Sequence, residues 1–244
     1  GLIATALGTV LLPTFSNQAA QADRAAITTT LTTTLRHMLY IMIPAAVGLL
    51  WLSAPILTTL FNWQGAFDAN STCLAARALA CYAPGLIIFS AAKLIVPAFY
   101  ALQDTRTPVR IGIRVVGLNL LFNLLAVWLL PTYWKHAGMA AATVLAEGIG
   151  MLLLIRTLNK RLPPLPSRSL ITDAAQHLGR ALIMGALTGL FFSFLFQLLP
   201  FAEKINQLIA LTSAIAFGIT TYLLLSRSRP EQQEIIQALR RNSQ

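Results

Sequence analysis

Two charged and two amide side chains stand inside long apolar stretches of the sequence, where they could bind ions. Lys93 and Glu147 are each the single charge in an apolar run that is long enough to cross a membrane. Asn119 and Asn123 are four positions apart, so that on a helix they share one face. An ionisable group at the centre of a bilayer costs about 2.5–3.5 kcal/mol on insertion scales unless it meets water or a partner. These four residues are therefore the first candidates for a binding function.

Their residue types suggest two kinds of chemistry. The side-chain oxygens of Asn119, Asn123, Thr143 and Glu147 could ligate a hard cation such as Na⁺, and Glu147 could instead carry a proton. Hydrogen bonding between helices is the alternative for the Asn pair, and a structural ion pair is the alternative for Glu147. Lys93 could meet an anionic group in a cavity, or its long side chain could extend to the membrane interface.

The composition excludes most soluble classes of protein. The chain has 244 residues, of which 56% are hydrophobic and 11% are charged, and its mean hydropathy is +0.68. Soluble domains carry about 25% charged residues, so a soluble enzyme, a disordered tail and a disulfide-linked secreted domain are all excluded. The net charge of +10 fits basic loops beside an anionic leaflet rather than nucleic-acid binding. Cys73 and Cys81 form no CxxC pattern and predict no metal site.

Apolar stretches of sufficient length predict six complete membrane spans, because a helix needs about 20 residues to cross the hydrocarbon core. An apolar stretch at residues 1–15 is predicted to be the trailing part of a further, truncated span. The predicted fold class is all-α, a polytopic transmembrane helix bundle with six full spans plus a truncated first span. The six spans are A (37–60), B (78–100), C (115–134), D (137–155), E (181–199) and F (205–226).

The basic residues orient these spans. When alternate loops are assigned to two sides, fourteen of the eighteen Lys and Arg residues fall on one side and three on the other, with Lys93 inside span B. Such an excess is typical of cytoplasmic loops and predicts a cytoplasmic C-terminus. The predicted regions are a transmembrane bundle (1–160), a cytoplasmic linker (161–180), a C-terminal helix pair (181–226) and a cytoplasmic tail (227–244) with a solvated polar helix after Pro230.

Prolines, glycines and histidines add weaker signals. Spans A and B each contain two prolines, which predict kinks that either line a moving cavity or are ordinary structural bends. A pair of glycines in span E predicts close helix packing. Three histidines near span ends are predicted to lie at the membrane interface. The Thr-rich residues 17–34 are predicted to form a surface segment. The residues are Pro44, Pro55, Pro84 and Pro97, Gly185 and Gly189, and His37, His136 and His177.

The sequence gives no support for an enzyme. It contains no HExxH, Walker A, nucleophile elbow or Rossmann pattern. Its eight acidic residues are scattered rather than clustered with histidines at one membrane face. We therefore expect a protein that is not an enzyme and has no cofactor, apart from Na⁺ or H⁺ as a coupling ion.

One long segment and three short ones resemble a known family. Residues 93–109 (KLIVPAFYALQDTRTPV) close span B, turn through a charged loop and open the next helix with Thr107-Pro108. This segment resembles a hallmark of the MurJ/MviN family of lipid II flippases, and its DTRTPV part is the most specific. Further matches in the same order are residues 6–16 (ALGTVLLPTFS), 76–79 (ARAL) and 135–138 (KHAG).

The resemblance implies a fold and an activity. The family belongs to the multidrug/oligosaccharidyl-lipid/polysaccharide exporter superfamily, whose 14 helices form two six-helix lobes and a final pair with an apolar groove. On that map the chain comprises the second lobe and the final pair, starting within helix 8. The family moves the undecaprenyl-pyrophosphate-linked peptidoglycan precursor across the bacterial inner membrane by alternating access. The implied partners are this precursor, membrane lipids and cell-wall synthesis proteins, with no nucleic acid.

The resemblance also implies roles for individual residues. Lys93 and Arg77 would grip the pyrophosphate through charge-assisted hydrogen bonds, and an interfacial anchor is the alternative for Arg77. Asp104 would cap a helix that starts near Pro108. The further implied sites are a cytoplasmic gate formed by Asp104, Arg106, Thr107 and Pro108, and a lipid-tail groove lined by Phe191, Phe192, Phe194 and Phe196.

Other functions remain as alternatives. They are another polysaccharide-lipid or drug exporter of the same superfamily, a membrane-embedded transferase, and a scaffold for cell-wall enzymes. Because the family keeps part of its functional residues in a first lobe that lies outside this chain, we expect that these 244 residues alone do not flip lipid. Membrane potential, Na⁺ and H⁺ all stay open as the driving force.

Overall fold

The computed structural model shows an all-α chain with nine helices among the residues it describes, which confirms the predicted fold class. It describes the backbone of residues 2–61, 69–200, 203–234 and 237, and the side chains of the same residues except 2–9, 69 and 203. The helices are α1 (Leu2–Ala20), α2 (Arg24–Trp51), α3 (Ser53–Phe61), α4 (Ala69–Tyr82), α5 (Gly85–Ala101), α6 (Arg106–Leu129), α7 (Thr132–Leu158), α8 (Ser167–Leu198) and α9 (Glu203–Leu225).

Each predicted span corresponds to a helix or to a bent pair of helices. Among the described residues, α2, α6, α7, α8 and α9 are long and apolar enough to cross a membrane, and α4 with α5 forms a sixth span if this pair, bent by 41°, is one span. Span A is predicted to start at residue 37, but α2 begins at Arg24 because the Asp23 carboxylate caps it by accepting a hydrogen bond from Ala26 N–H. Similarly, residues 167–180 of the predicted linker are the first turns of α8.

Two of the four prolines mark interruptions of spans A and B. The helix breaks after Trp51 and again after Tyr82. Pro84 stands inside the second break, and Pro55 lies in the first turn of α3, just beyond the first break. The other two prolines lie inside the continuous helices α2 and α5. Pro55 and Pro84 therefore mark the places where helical hydrogen bonds are interrupted.

The Thr-rich start of α2 is buried on one side. The prediction that this part of the chain forms a surface segment is therefore wrong for the buried side. Ile27 and Leu31 have no solvent exposure. The hydroxyls of Thr28 and Thr32 donate hydrogen bonds to the carbonyl oxygens four residues earlier. Because threonine can satisfy its hydroxyl within its own helix, a polar composition here is compatible with an apolar interior.

The apolar core lies between α1, α2, α5 and α7. Phe15 of α1 and Leu94 and Phe99 of α5 are completely buried in it. A second, smaller core joins the other side of α2 to α8 and α9, where Val47 packs with Met184. Helix α2 is therefore shared between the bundle and the C-terminal helix pair.

Glycines allow the closest helix contacts. A Cβ on Gly138 of α7 would collide with Leu130 of α6, and one on Gly150 would collide with Val115. A Cβ on Gly189 of α8 would lie 2.7 Å from Cδ1 of Trp51 in α2. Without a hydrophobic force between helices in lipid, such close approach supplies the packing energy. These contacts fix the register of α6 with α7 and of α2 with α8.

The segment between α7 and α8 is packed against the bundle. Leu162 and Leu165 are buried in the main core. The Asn159 side-chain oxygen accepts a hydrogen bond from Leu165 N–H at 3.1 Å, and the Thr28 hydroxyl donates to the Pro163 carbonyl oxygen at 3.2 Å. The proline-rich sequence is thus held on both sides by α2 and by the end of α7.

The first residues after α9 also fold back onto the bundle. Glu231 is 5% exposed and Gln232 is 9% exposed. Nε2 of His37 in α2 pairs with the Glu234 carboxylate at 3.0 Å. The prediction of a solvated helix is therefore wrong for Glu231 and Gln232, because polar composition does not reveal that a segment docks on its own protein.

We predict that Gly189→Ala lowers the melting temperature of the detergent-solubilised protein, since the added methyl would lie 2.7 Å from Trp51 Cδ1. Overpacking of this kind costs about 1–3 kcal/mol. Gly117→Ala is the matched control because nothing lies within 4 Å of its added Cβ, and it should leave the melting temperature unchanged or raise it. Equal melting temperatures for the two variants would contradict the contact between α2 and α8.

Candidate functional site

Lys93 and Glu147 line one cavity between α5 and α7. The cavity has a volume of about 400 Å³. Lys93 is exposed and Glu147 is half-buried. The structure therefore places Glu147, a candidate cation ligand, beside the candidate anion-binding lysine. The remaining lining residues are Leu86, Phe89, Ser90 and Ala92.

Arg77 lies on the other side of the α4–α5 break, against aromatic residues at the start of α7. Its guanidinium carbon is 3.9 Å from the centroid of the Tyr133 ring and 4.6 Å from that of Trp134. Stacking of this kind holds an arginine by cation–π attraction, which supports the anchor interpretation. Its Nη1 is buried and has no hydrogen-bond partner among the described residues. The structure thus gives Arg77 and Lys93 different surroundings rather than one shared cavity.

The Asn pair forms the shared face that its spacing predicts. Nδ2 of Asn123 donates a hydrogen bond to Oδ1 of Asn119 at 2.6 Å. The glycine contacts that set the antiparallel register of α6 and α7 bring this pair to the same depth as Thr143 and Glu147. The Thr143 hydroxyl donates to the Met139 carbonyl oxygen at 3.1 Å. The fold therefore places all four candidate cation ligands at one level of the bundle.

Asp104 organises the loop between α5 and α6. Its Oδ1 accepts a hydrogen bond from Thr107 N–H at 3.0 Å, and its Oδ2 pairs with Nη2 of Arg161 at 2.8 Å. The preceding residue, Gln103, has a φ of 57°, a left-handed conformation that turns the chain out of α5. Hydrogen bonds from Thr107 lower the pKa of the Asp104 carboxyl below its ordinary value. The positive charge of the Arg161 guanidinium lowers this pKa further.

Helix α6 starts earlier than the sequence predicts. Its first residue is Arg106 rather than one near Pro108, because the Asp104 carboxylate already satisfies an N–H of the first turn. Pro108 is the third helical residue. Because the N–H groups of the first helical turn have no acceptor within the helix, a proline at this position removes no hydrogen bond. The capping role predicted for Asp104 is confirmed, and the gate formed with Arg106 and Thr107 stays a prediction.

Polar contacts connect this loop to the rest of the same end of the bundle. The backbone carbonyl of Arg161 accepts a hydrogen bond from Arg24 Nη1 at 3.4 Å. In the next turns of α2 and α8, Nε of Arg36 pairs with the Asp173 carboxylate at 3.1 Å, and Nη2 donates to the Ser169 hydroxyl at 2.6 Å. The α5–α6 loop, the α7–α8 segment and the beginnings of α2 and α8 are therefore joined.

A buried aromatic cluster joins α2, α8 and α9, and the sequence analysis missed it. His177 is 1% exposed, and its Nδ1 lies 3.1 Å from the Tyr222 hydroxyl. The Tyr40 ring centroid is 5.5 Å from that of His177 and 5.4 Å from that of Tyr222. The prediction that His177 is interfacial is therefore wrong. No local spacing could have found the cluster, since its three members come from distant parts of the chain.

The same three helices, together with α3, line a partly open apolar cavity of about 450 Å³. Tyr40 and Tyr222 line it, and Thr188 lies deep in its wall with 2% exposure. The predicted phenylalanines lie elsewhere: Phe191 stacks on Phe217 of α9, with centroids 4.4 Å apart, and Phe192 stacks on Phe196. The other lining residues are Ile41, Pro44, Ala45, Gly48, Leu49, Leu52, Ile56, Met184, Ile215, Gly218, Ile219 and Leu223.

We predict that Asp104→Ala destabilises the protein by roughly 0.5–2 kcal/mol, the range for a lost helix cap. Because its native-state pKa is lowered, the stabilising contribution of Asp104 is complete above the ordinary aspartate pKa and disappears as the pH falls through the lowered value. The gap in melting temperature between the wild type and Asp104→Ala should therefore be large at about pH 7 and narrow as the pH falls below the ordinary aspartate pKa of about 4. A gap that does not change with pH would contradict the charged role of Asp104. Asp104→Asn, which keeps an oxygen for Thr107 but loses the charge, is the control.

Comparison with known proteins gives the chain a family. The family model described as lipid II flippase MurJ matches residues 1–229. A lipid II flippase MurJ from Burkholderia cenocepacia is 36% identical over 186 residues, which cover 76% of this chain and 35% of the relative. A probable lipid II flippase MurJ from Vibrio cholerae is 30% identical over 231 residues, which cover 92% of this chain and 42% of the relative.

A solved structure agrees with these matches. It is described as lipid II flippase MurJ in an inward closed conformation, and it is 27% identical with a TM-score of 0.71. The match covers 93% of this chain and 43% of that structure, so the chain spans less than half the length of these relatives. With its apolar helices, the chain is a multi-pass membrane protein that belongs to the lipid II flippase MurJ family.

Proposed function

We propose that the protein moves lipid II, the undecaprenyl-pyrophosphate-linked peptidoglycan precursor, from the cytoplasmic to the periplasmic leaflet by alternating access. The chain contributes the second lobe and the final helix pair of this flippase. Membership of the family supports the proposal. The observation that carries it within this chain is the position of Lys93, a cation in the wall of a largely apolar cavity that is also lined by Glu147.

The chemistry of this cavity suits a pyrophosphate. A lysine ammonium offers three donors and a full positive charge, which strengthen its hydrogen bonds to phosphate oxygens. Glu147 on the facing helix places a carboxyl group in the same cavity. An entering pyrophosphate competes with this carboxylate for Lys93 and is released when the carboxylate wins again. The pair can thus bind the anion without trapping it.

The ion pair between Asp104 and Arg161 supplies the gate. It joins the α5–α6 loop to the segment after α7 across a distance of 2.8 Å. Opening of this end of the bundle requires the two segments to separate, so the pair must break. Arg106 at the start of α6 is exposed beside it and can meet an approaching anionic headgroup.

The charge distribution supports a location in the bacterial inner membrane with the C-terminus in the cytoplasm. Fourteen of the eighteen basic residues lie in loops of one predicted side, as expected for loops that remain in the cytoplasm. The contacts of Asp104, Arg36 and His37 lie at this basic end. The gate formed by Asp104 is therefore assigned to the cytoplasmic mouth.

We predict that Lys93→Ala in the full-length protein lowers lipid II transport by at least about tenfold, since a lost charged hydrogen bond costs roughly 1.5–3 kcal/mol. Lys93→Arg keeps the charge and should retain most of the transport. Transport would be measured in liposomes with labelled lipid II, and growth would be followed after depletion of the native flippase.

Arg77→Ala is the comparison variant. Because its guanidinium stacks on Tyr133 and Trp134, we expect this change to lower the melting temperature more than Lys93→Ala does. Wild-type transport and growth with both alanine variants would overturn the flippase proposal for this half of the protein and favour a scaffold.

We also propose that Asn119, Asn123 and Thr143 bind Na⁺ as the coupling ion. The register of α6 and α7 brings these residues to one depth of the bundle, and neutral oxygen ligands suit a hard cation. Na⁺ in place of K⁺ should therefore raise the melting temperature of the wild type, and this rise should disappear in Asn119→Ala/Asn123→Ala. Thr157→Ala is the control, since Thr157 of α7 also donates to the carbonyl oxygen four residues earlier. An identical Na⁺ effect in the wild type and the double variant would overturn the site.

A further inference from the structure

Four basic residues form an exposed patch where the start of α6 lies beside the end of α7. Arg110 and Arg114 are four positions apart on α6, so they share one face of that helix. Arg156 lies in the last turn of α7, and Lys160 follows four positions later in the turn after this helix. All four side chains are exposed. We call these four residues the outer basic patch.

The packing of α6 with α7 brings the two pairs to similar heights in the bundle. A Cβ on Gly150 of α7 would collide with Val115 of α6, so these two residues mark one level of the antiparallel helices. Arg110 lies five residues before Val115, and Arg156 lies six residues after Gly150. At 1.5 Å per residue these offsets are about 7.5 Å and 9 Å in the same direction. The arginines of the two helices therefore lie at nearly the same height.

The patch lies on the side of the two helices that faces away from the bundle. In the same turns, Ile111 of α6 and Leu154 and Leu158 of α7 are at most 5% exposed and belong to the main core. The exposed cations therefore occupy the opposite, outer side of the helix pair.

The positive charge of the patch is not balanced by ion pairs within the described part of the chain. None of its four cations belongs to an ion pair among the described residues. Glu147 is the only acidic residue of α6 and α7, and it lines the inner cavity beside α5. Asp104, just before α6, is paired with Arg161. The outer side of the helix pair therefore attracts a negatively charged group from outside the chain.

The patch continues from the membrane surface into the apolar region. Helix α6 has 24 residues and is about 36 Å long, slightly longer than the roughly 30 Å hydrocarbon core. Arg114 lies eight residues after the first residue of α6, or about 12 Å along its axis. Because a charge at the depth of the acyl chains is unfavourable without a polar partner, its long side chain extends toward the headgroups. Farther along both helices the exposed side chains are apolar, with 36–62% exposure for Leu121, Leu125, Leu145, Ile149 and Leu152.

We propose that the outer basic patch binds the phosphate group of an anionic phospholipid in the cytoplasmic leaflet, whose acyl chains lie on the apolar side chains of α6 and α7. Each guanidinium offers two parallel N–H donors to phosphate oxygens. Basic sites between transmembrane helices on the cytoplasmic side are typical of anionic headgroup binding. A zwitterionic lipid fits less well, because it brings its own ammonium group close to four cations. The bound lipid connects the start of α6 to the end of α7, and this role does not depend on the transported substrate.

The preference for an anionic headgroup is tested by native mass spectrometry of the full-length protein with phosphatidylglycerol or phosphatidylcholine that carry the same acyl chains. The wild type should bind phosphatidylglycerol severalfold more tightly. Arg110→Gln/Arg156→Gln, which removes one guanidinium from each helix, should weaken this binding at least about tenfold. Arg168→Gln/Arg227→Gln removes the same charge from two exposed arginines outside the patch and should leave the affinity nearly unchanged. The melting temperature of each variant verifies that it is folded.

Two outcomes of this measurement would overturn the patch. Equal affinities of the wild type for the two lipids would exclude the selection of an anionic headgroup. An equal loss of affinity in the two double variants would mean that surface charge in general, rather than this pair of helices, attracts the lipid.

The position of the lipid is tested with phosphatidylglycerol that carries a photoreactive group on its headgroup glycerol. In nanodiscs with the full-length protein, crosslinks should map to the first turns of α6 and the last turns of α7, and their yield should fall severalfold in Arg110→Gln/Arg156→Gln. Glycerol 3-phosphate, which has the phosphate but no acyl chains, should not compete. Crosslinks confined to other helices, or full competition by glycerol 3-phosphate, would overturn the binding of a phospholipid at this place.

Discussion

Close approach of helices at glycine is the constraint on which this structure depends. Lipid surrounds a membrane protein with a medium as apolar as its side chains, so helices gain little by hiding apolar surface and must gain by packing. Gly138 and Gly150 bring α7 against α6, and Gly189 accepts Trp51 of α2. The positions of the candidate cation ligands on α6 and α7 use the register that the first two of these contacts set. The depth shared by the Asn pair with Thr143 and Glu147 is the clearest example.

The polar groups divide into two kinds according to what satisfies them. At the basic end of the bundle, carboxylates and cations are paired across elements, as with Asp104 and Arg161 or Arg36 and Asp173. Deeper in the membrane, hydroxyl and amide groups bond within one helix, as Thr143 and the Asn pair do. Lys93 of α5 and Glu147 of α7 line one cavity from two neighbouring helices. This arrangement is the basis on which we propose that the cavity binds an anionic ligand.

Local physics made part of this structure predictable and left the rest out of reach. Apolar length gave the six spans, and the cap chemistry of Asp104 depends on neighbours only three residues away. The surroundings of His177 could not be found in this way, since Tyr40 and Tyr222 reach it from distant parts of the chain. The same holds for Glu231, which is buried although it lies in a polar stretch of the sequence. Local sequence patterns predict helix length and capping, whereas the partners of a buried polar residue depend on how distant helices pack.

The packed segment between α7 and α8 has a mechanical consequence. Leu162 and Leu165 lie in the main core, and the Pro163 carbonyl oxygen accepts a hydrogen bond from Thr28. Because the segment is fixed in this way, a displacement of α7 would also displace the beginning of α8. Helix α8 in turn grips α2 through Gly189 and Trp51. The C-terminal helix pair is therefore packed firmly on the bundle rather than linked to it by a flexible connection. In the proposed alternating access, the C-terminal pair would therefore move together with the bundle rather than independently of it.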